Sequence, residues 1–193
     1  IGRFTNGTIN TIPGGLQTLP ENGGLAYAVV APFTGTIPTA GTIEYDVLSA
    51  TRPVFYDGAA APGTFEADLA FTFGGSQVTY RLAGEIAIND ETYVFGTGSN
   101  FANTQVADFE AAPQFVADRI TLTSQLITTG RACPTGDCTL QFLGGLAGES
   151  DAERVAFTYR SFPTDRSFSN PGQPERDLLG AGLIGAVGTD DGG

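Results

Sequence analysis

The chain has 193 residues, of which 41% are hydrophobic and 10% aromatic, so it can form one sizeable core and is not globally disordered. Nine arginines and no lysine stand against 21 acidic residues, a net charge of −12, which argues against nucleic acid as a partner. Histidine is absent, which excludes Ser-His-Asp and Cys-His catalysis and the usual zinc sites.

Residues 1–22 are polar and rich in Gly, Thr and Pro, and we interpret them as an N-terminal arm or linker. Residues 23–193 form the second predicted unit, with Gly and Pro spread along it as in a domain of many short strands. No apolar run approaches the roughly 20 residues of a transmembrane helix. Ile1 is not an initiator methionine, so we expect that a signal peptide was removed upstream.

The body begins with a predicted strand over residues 25–33, followed by residues 42–48, which alternate between apolar and polar side chains. The strongest hairpin joins residues 64–73 to residues 77–82 through a Gly-containing turn. Its period of two predicts that Leu69 and Phe71 are buried and that Glu66 and Asp68 face solvent.

Residues 89–91 then predict a turn into a strand at residues 93–95. No firm pattern is visible over residues 96–118. Residues 118–127 again read as a strand, and residues 139–146 would be its antiparallel partner.

Cys133 and Cys138 lie between these two predicted strands, and Pro134 and Gly136 stand between the two cysteines. The spacing suits a disulfide at a hairpin tip and an oxidising compartment, and two free thiols are the alternative. Two cysteines without histidine cannot form a structural zinc site.

Glycines recur inside the apolar strands of residues 139–188, which is typical of tightly curved sheets. We therefore predict an all-β fold, a single antiparallel β-barrel of about eight strands, closed or nearly closed, preceded by the polar arm.

Residues 143–148 (LGGLAG), 155–159 (VAFTY) and 180–187 (GAGLIGAV) together resemble the closing strands of the transferrin-binding-protein-B-like β-barrel. That family occurs in bacterial surface lipoproteins and secreted haemophores, so the resemblance implies a bacterial binding module and not an enzyme. Ile184 and Val187 stand where the family commonly has an aromatic residue, and no lipobox cysteine stands at the start.

Residues that could carry chemistry are few. Glu66 and Asp68 could form an acid/base pair, although exposed strand positions are the simpler interpretation. Residues 89–91 and 190–191 could bind Ca²⁺ through oxygen ligands, and plain turns are the alternative. Haem iron would need a Tyr or Cys ligand, since His and Met are absent, which argues against a haem site. We predict no catalytic residues, no metal and no cofactor.

Residues 162–177 form the longest predicted loop, which suggests either a functional loop or a mobile insertion. Aromatic and Arg side chains commonly anchor interfaces, so Phe162, Arg166, Phe168 and Arg176 are the predicted partner-binding residues. The expected function is an exported binding module, secreted, periplasmic or at the cell surface, for a protein or nutrient-carrying partner. The alternative is a structural subunit of an extracellular assembly, joined to its neighbours by strand addition.

Overall fold

The structure is a computed structural model that describes residues 1–11, 15–74, 77–97, 102–104, 120–126, 128–134, 138–149, 152–163 and 177–187. Within these ranges all regular secondary structure is β, as predicted. The strands are β1 Gly2–Phe4, β2 Gly7–Thr11, β3 Gly15–Leu19, β4 Leu25–Tyr27, β5 Ala40–Ala50, β6 Val54–Phe55, β7 Thr64–Gly74, β8 Gln77–Ile88, β9 Glu91–Gly96, β10 Ala102–Thr104, β11 Ile120–Leu126, β12 Cys138–Ala147, β13 Arg154–Pro163 and β14 Leu178–Ala186.

The main sheet is antiparallel and strongly curled. Its long strands follow the order β8-β7-β5-β14-β13-β12-β11-β9, while β6 pairs with β14 and β10 extends the β8 edge. At the far end of the curl, β9 pairs with β8 along its whole length but with β11 only at Gln125↔Gly96 and Leu126↔Phe95. The expected closed barrel is therefore corrected to an open, curled sheet of barrel-like curvature.

The incomplete seam between β9 and β11 has a local cause. β11 ends at Leu126, and the first half of β9 lies beside the turn at residues 128–134 instead of a strand. Side chains then satisfy backbone groups that a strand partner would have bonded: Val94 N donates to Thr128 Oγ1 at 3.0 Å, and Ala132 N donates to Tyr93 Oη at 3.0 Å. The curl is held together at this seam by side-chain hydrogen bonds as much as by backbone pairing.

The inside of the curl is filled by aromatic rings. Phe65 stacks on Tyr159 with ring centroids 4.7 Å apart, and Phe142 meets Phe157 edge-on at 5.4 Å. These residues come from β7, β12 and β13, and each is at most 8% exposed. The interior of the sheet is thus a packed core, and the surfaces open to a partner lie outside it or at its ends.

Two of the glycines seen in the sequence face these rings. Gly84 pairs with Phe95 across β8 and β9, and a Cβ there would lie 2.6 Å from the Phe95 ring. Gly180 pairs with Tyr159 across β13 and β14, and a Cβ there would lie 2.3 Å from its hydroxyl oxygen. Glycine is therefore required at these positions. At Gly84 the backbone oxygen of Glu66, 2.1 Å from such a Cβ, and the Phe95 ring occupy the space of a side chain, and at Gly180 the Tyr159 side chain does.

The central hairpin is confirmed. β7 and β8 pair in register from Thr64↔Ala87 to Gly74↔Gln77. Leu69 and Phe71 are 3% and 2% exposed, whereas Glu66 and Asp68 face solvent, as the alternation predicted.

The predicted turn after β8 is also confirmed. Asn89 and Asp90 adopt φ of 52° and 61° between β8 and β9, as a two-residue turn with both φ positive requires. Asn and Asp are the non-glycine residues that tolerate this conformation best.

The N-terminal residues form two small sheets. β1 pairs with β4, and β2 pairs with β3 in a hairpin. The strand expected over residues 25–33 is much shorter in the structure, where only Leu25–Tyr27 forms a strand, paired with β1. Residues 25–33, here called the strap, instead cross the outer face of the main sheet: β4 lies against β14 and β13, and Pro32 bridges to Ala147.

Candidate functional site

The disulfide predicted from the spacing is present. Cys133 and Cys138 are bonded, with Cα atoms 5.6 Å apart, and Gly130 and Cys133 exchange two backbone hydrogen bonds of 3.0 Å. Both cysteines are buried, at 0% and 1% exposure, so the turn at residues 128–134 folds into one end of the curl. We call this end the disulfide end.

A polar cluster surrounds this turn. The Arg131 guanidinium pairs with Asp57 at 2.5 Å and lies 5.4 Å from the centre of the Phe55 ring. The backbone N of Arg131 donates to both carboxylate oxygens of Glu91, at 3.3 and 3.2 Å. The Tyr93 hydroxyl also donates to Glu91. The cluster therefore joins the β8–β9 turn and the segment after β6 to the disulfide turn.

Within this cluster, Tyr93 and Glu91 are linked by a hydrogen bond. The Glu91 carboxylate accepts bonds from Tyr93 and Arg131, and burial raises the pKa of Tyr93 above its usual value, so its phenol stays protonated at neutral pH. Glu66 and Asp68 face solvent on the outer face of β7. Among the residues that the structure describes, no group of three acidic or cysteine side chains is placed to hold a metal ion.

The base of the predicted binding loop lies at the same end. The buried Asp177 carboxylate accepts two bonds from Arg160, from Nε at 2.7 Å and from Nη2 at 2.5 Å. Leu178 N donates to Ser161 Oγ at 2.9 Å, and Tyr56 N donates to the Asp177 carbonyl at 2.9 Å. These contacts hold the two ends of the loop together beside the disulfide end.

Of the predicted partner-binding residues, only Phe162 is described. It lies near the end of β13, is partly buried and pairs with Thr139. Arg166, Phe168 and Arg176 lie outside the described residues, as do the acidic residues 190–191. The structure therefore describes the base of the loop, while the three other residues stay predictions.

A groove on the outer face of the sheet was not predicted. Leu143 and Thr158, paired across β12 and β13, line both of its adjoining parts, of about 580 and 230 Å³. Ala28 and Val30 of the strap line the larger part, and Leu25 and Ala26 line the smaller. We call the larger part the outer groove. The only signal for it in the sequence is Leu143, an apolar residue at an outward position of β12.

Three buried tyrosines are expected to make the folded protein less stable at alkaline pH. Burial raises the pKa of Tyr45, Tyr93 and Tyr159 above the ordinary value, while unfolding returns them to about 10. The contribution of these tyrosines to the free energy of unfolding is complete below pH 10. It is lost as the pH rises toward their folded-state pKa values, because the tyrosines of the unfolded chain ionise first. We therefore expect the urea midpoint to fall steeply above pH 10, with phenolate absorbance at 295 nm rising together with unfolding.

Tyr159→Phe tests this. The Tyr159 hydroxyl is buried and has no hydrogen-bond partner among the described residues, so its removal is expected to stabilise the protein by about 1 kcal/mol at pH 7. It should also reduce the alkaline loss, whereas the control Tyr27→Phe, at a more exposed ring, should leave that loss unchanged. An unchanged alkaline profile for Tyr159→Phe would contradict the assignment.

Comparison with known proteins supplies no relative from which a function could be transferred. No protein-family model matches the chain, and the search of curated proteins finds no significant match. The described residues contain no helix with the length and apolar character needed to cross a membrane. The resemblance to the transferrin-binding-protein-B-like barrel, which covers roughly residues 64–188, thus stays an interpretation of the sequence.

Proposed function

We propose that the chain is a non-catalytic, exported binding module that recognises a protein partner through the loop at residues 164–176. The observation that carries this proposal is the anchoring of the loop ends by the Arg160–Asp177 pair and the Ser161–Leu178 hydrogen bond. Binding residues are commonly placed on loops supported by a rigid scaffold, and this base is tied to the packed sheet. The disulfide is compatible with export, since such bonds persist in oxidising compartments.

The composition of the loop supports a protein partner. Arg166 and Arg176 are two of only nine basic residues in an acidic chain, they stand beside Asp165 and Glu175, and they flank Phe168. Arg and aromatic side chains carry a large share of the binding energy in protein interfaces. The partner surface would be complementary to this set, with apolar pockets and carboxylates.

Replacing residues 164–176 with a short Gly/Ser linker tests the proposal. The fold should be retained, because Arg160, Ser161 and Asp177 remain, and binding of the labelled protein to intact cells of its source should fall at least tenfold. Arg166→Ala/Arg176→Ala should reduce binding in the same assay, while Arg81→Ala, on the outer face of β8, serves as the control. A loop-replaced protein that folds and binds as the natural one does would refute the assignment.

A structural subunit is the second candidate. It is favoured by the N-terminal hairpin, which presents an exposed face, and by the absence of acidic residues from the first 20 positions. Both features concern association between copies of the chain.

A further inference from the structure

We propose that the exposed face of the N-terminal hairpin, β2–β3, docks into the outer groove of a second copy of this chain. This inference is independent of the loop at residues 164–176, because it uses a different surface. Two surfaces of the same acidic molecule support it: an uncharged, partly apolar hairpin face, and a groove whose described lining residues are uncharged and mainly apolar.

The register of the hairpin separates its two faces. Residues directly opposite each other in an antiparallel pair share a face. Gln17 and Leu19 lie on the face toward the body, where Gln17 Oε1 accepts a bond from the Tyr56 hydroxyl at 2.9 Å and Leu19 is 3% exposed. The opposite face is fully exposed and consists of Thr8, Asn10, Leu16 and Thr18.

Leu16 is the apolar centre of that face. It is 77% exposed and lies opposite Asn10, with Thr8 and Thr18 as the next pair on the same side. A single apolar side chain surrounded by short polar ones is suited to insertion into an apolar depression. The polar neighbours can then form hydrogen bonds at the rim of the depression.

The outer groove offers such a depression. Its floor includes Leu143 and Ala156 and its wall includes Val30, and none of the described residues that line it is charged. Leu143 and Val30 are 48% and 39% exposed, and Val29 beside them is 77% exposed. Covering these side chains with Leu16 would remove apolar surface from water, at about 25 cal/mol per Å² buried.

Charge identifies the occupant as another copy of the chain. The first 20 residues contain Arg3 and no acidic residue, whereas all 21 acidic residues and the other eight arginines follow. Two acidic bodies repel each other, so the N-terminal segment is the part of a second molecule that approaches with the least repulsion. Within the part of the chain that the structure describes, the groove lining likewise contains no carboxylate to oppose it.

The contact is heterologous, since hairpin and groove are different surfaces. After one such contact has formed, the pair still has one free hairpin and one free groove, so the interface propagates into a ring or an open filament. Sedimentation velocity of the natural protein over a concentration series should show a mass that rises beyond the dimer. Association should strengthen as NaCl increases from 0.1 to 1 M, because the Debye length shortens from about 10 to about 3 Å and repulsion between bodies is screened.

Two variants and their mixture provide the decisive test. Leu16→Asp and Leu143→Asp should each be folded by thermal melting and should each weaken association at least tenfold. Mixed together, they should form a 1:1 complex that grows no further, because the intact hairpin of one variant fits the intact groove of the other. Leu48→Asp, at an outward β5 residue that is 58% exposed and does not line the groove, should associate like the natural protein.

The proposal is overturned if the natural protein stays monomeric at all concentrations. It is equally overturned if the two folded variants fail to pair when mixed, or if Leu48→Asp weakens association as much as they do. A variant that fails to melt cooperatively is replaced by Leu16→Ser or Leu143→Ser, for which the same results are expected with a smaller loss.

Discussion

Phe71→Ala is expected to lower the free energy of unfolding by about 3 to 5 kcal/mol, the usual cost of removing a large aromatic side chain from a core. Phe71 is 2% exposed, and its ring meets Tyr45 nearly perpendicularly, with centroids 5.7 Å apart. It also packs against Phe73 on the same strand. The truncation would leave a cavity between β5 and β7 that the paired strands cannot close. Urea unfolding at pH 7, followed by tyrosine fluorescence, measures the loss.

The matched control is Asp68→Ala on the same strand. Asp68 is exposed and lies directly opposite Asp46 of β5, so its removal relieves a like-charge pair. The variant should be as stable as the natural protein or slightly more stable, by up to about 0.5 kcal/mol. Equal destabilisation by both substitutions would show that the inward and outward faces of β7 are assigned incorrectly.

Cys133→Ala/Cys138→Ala is expected to cost about 2 to 5 kcal/mol. The loop between the cysteines is short, so chain entropy supplies only about 2 kcal/mol of this. The remaining loss of stability reflects the place of the disulfide turn in the fold. The turn puts Ala132 in the core and supplies the hydrogen bonds to Tyr93 and Glu91 that complete the seam. Loosening the turn therefore weakens the β9 edge as well as the turn itself.

Hydrogen exchange distinguishes these two contributions. In the double variant, the amide hydrogens of Val94 and Ala132 should exchange faster, since both are donors across the seam. Amides in the β12–β13 ladder, such as that of Phe142, should lose only the protection that follows from the lower global stability. A double variant with natural stability and unchanged exchange at Val94 would show that the disulfide is dispensable for the seam.

The disulfide end and the outer groove are surfaces of different character. The first combines ion pairs, a cation–π contact and the anchored loop base. The second lies beside the strap, and its described lining residues are uncharged and mainly apolar. A protein with both surfaces could bind a partner at one while associating with its own copies at the other.

Local patterns in the sequence determined much of the fold. Alternation at residues 64–73 predicted which face of β7 is buried, because successive side chains of a strand point to opposite sides whatever its neighbours are. The turn at residues 89–91 and the Cys133–Cys138 bond were likewise predictable, since each depends on residues only a few positions apart. The same local signals misled at residues 25–33, where an apolar run suggested a full strand and the chain forms a three-residue strand and a strap instead.

Only the tertiary structure decided how these elements meet. Closure of a sheet depends on which backbone groups of distant strands are opposite each other. Here the turn at residues 128–134 lies beside the first half of β9, and β9 and β11 are paired at only two positions. Leu143 at an outward position of β12 indicated an apolar spot, but the groove exists because the strap, more than 100 residues earlier in the chain, crosses beside it. Contacts between residues so far apart leave no periodic trace in the sequence, which is why the candidate surfaces could be located only once the strands were placed.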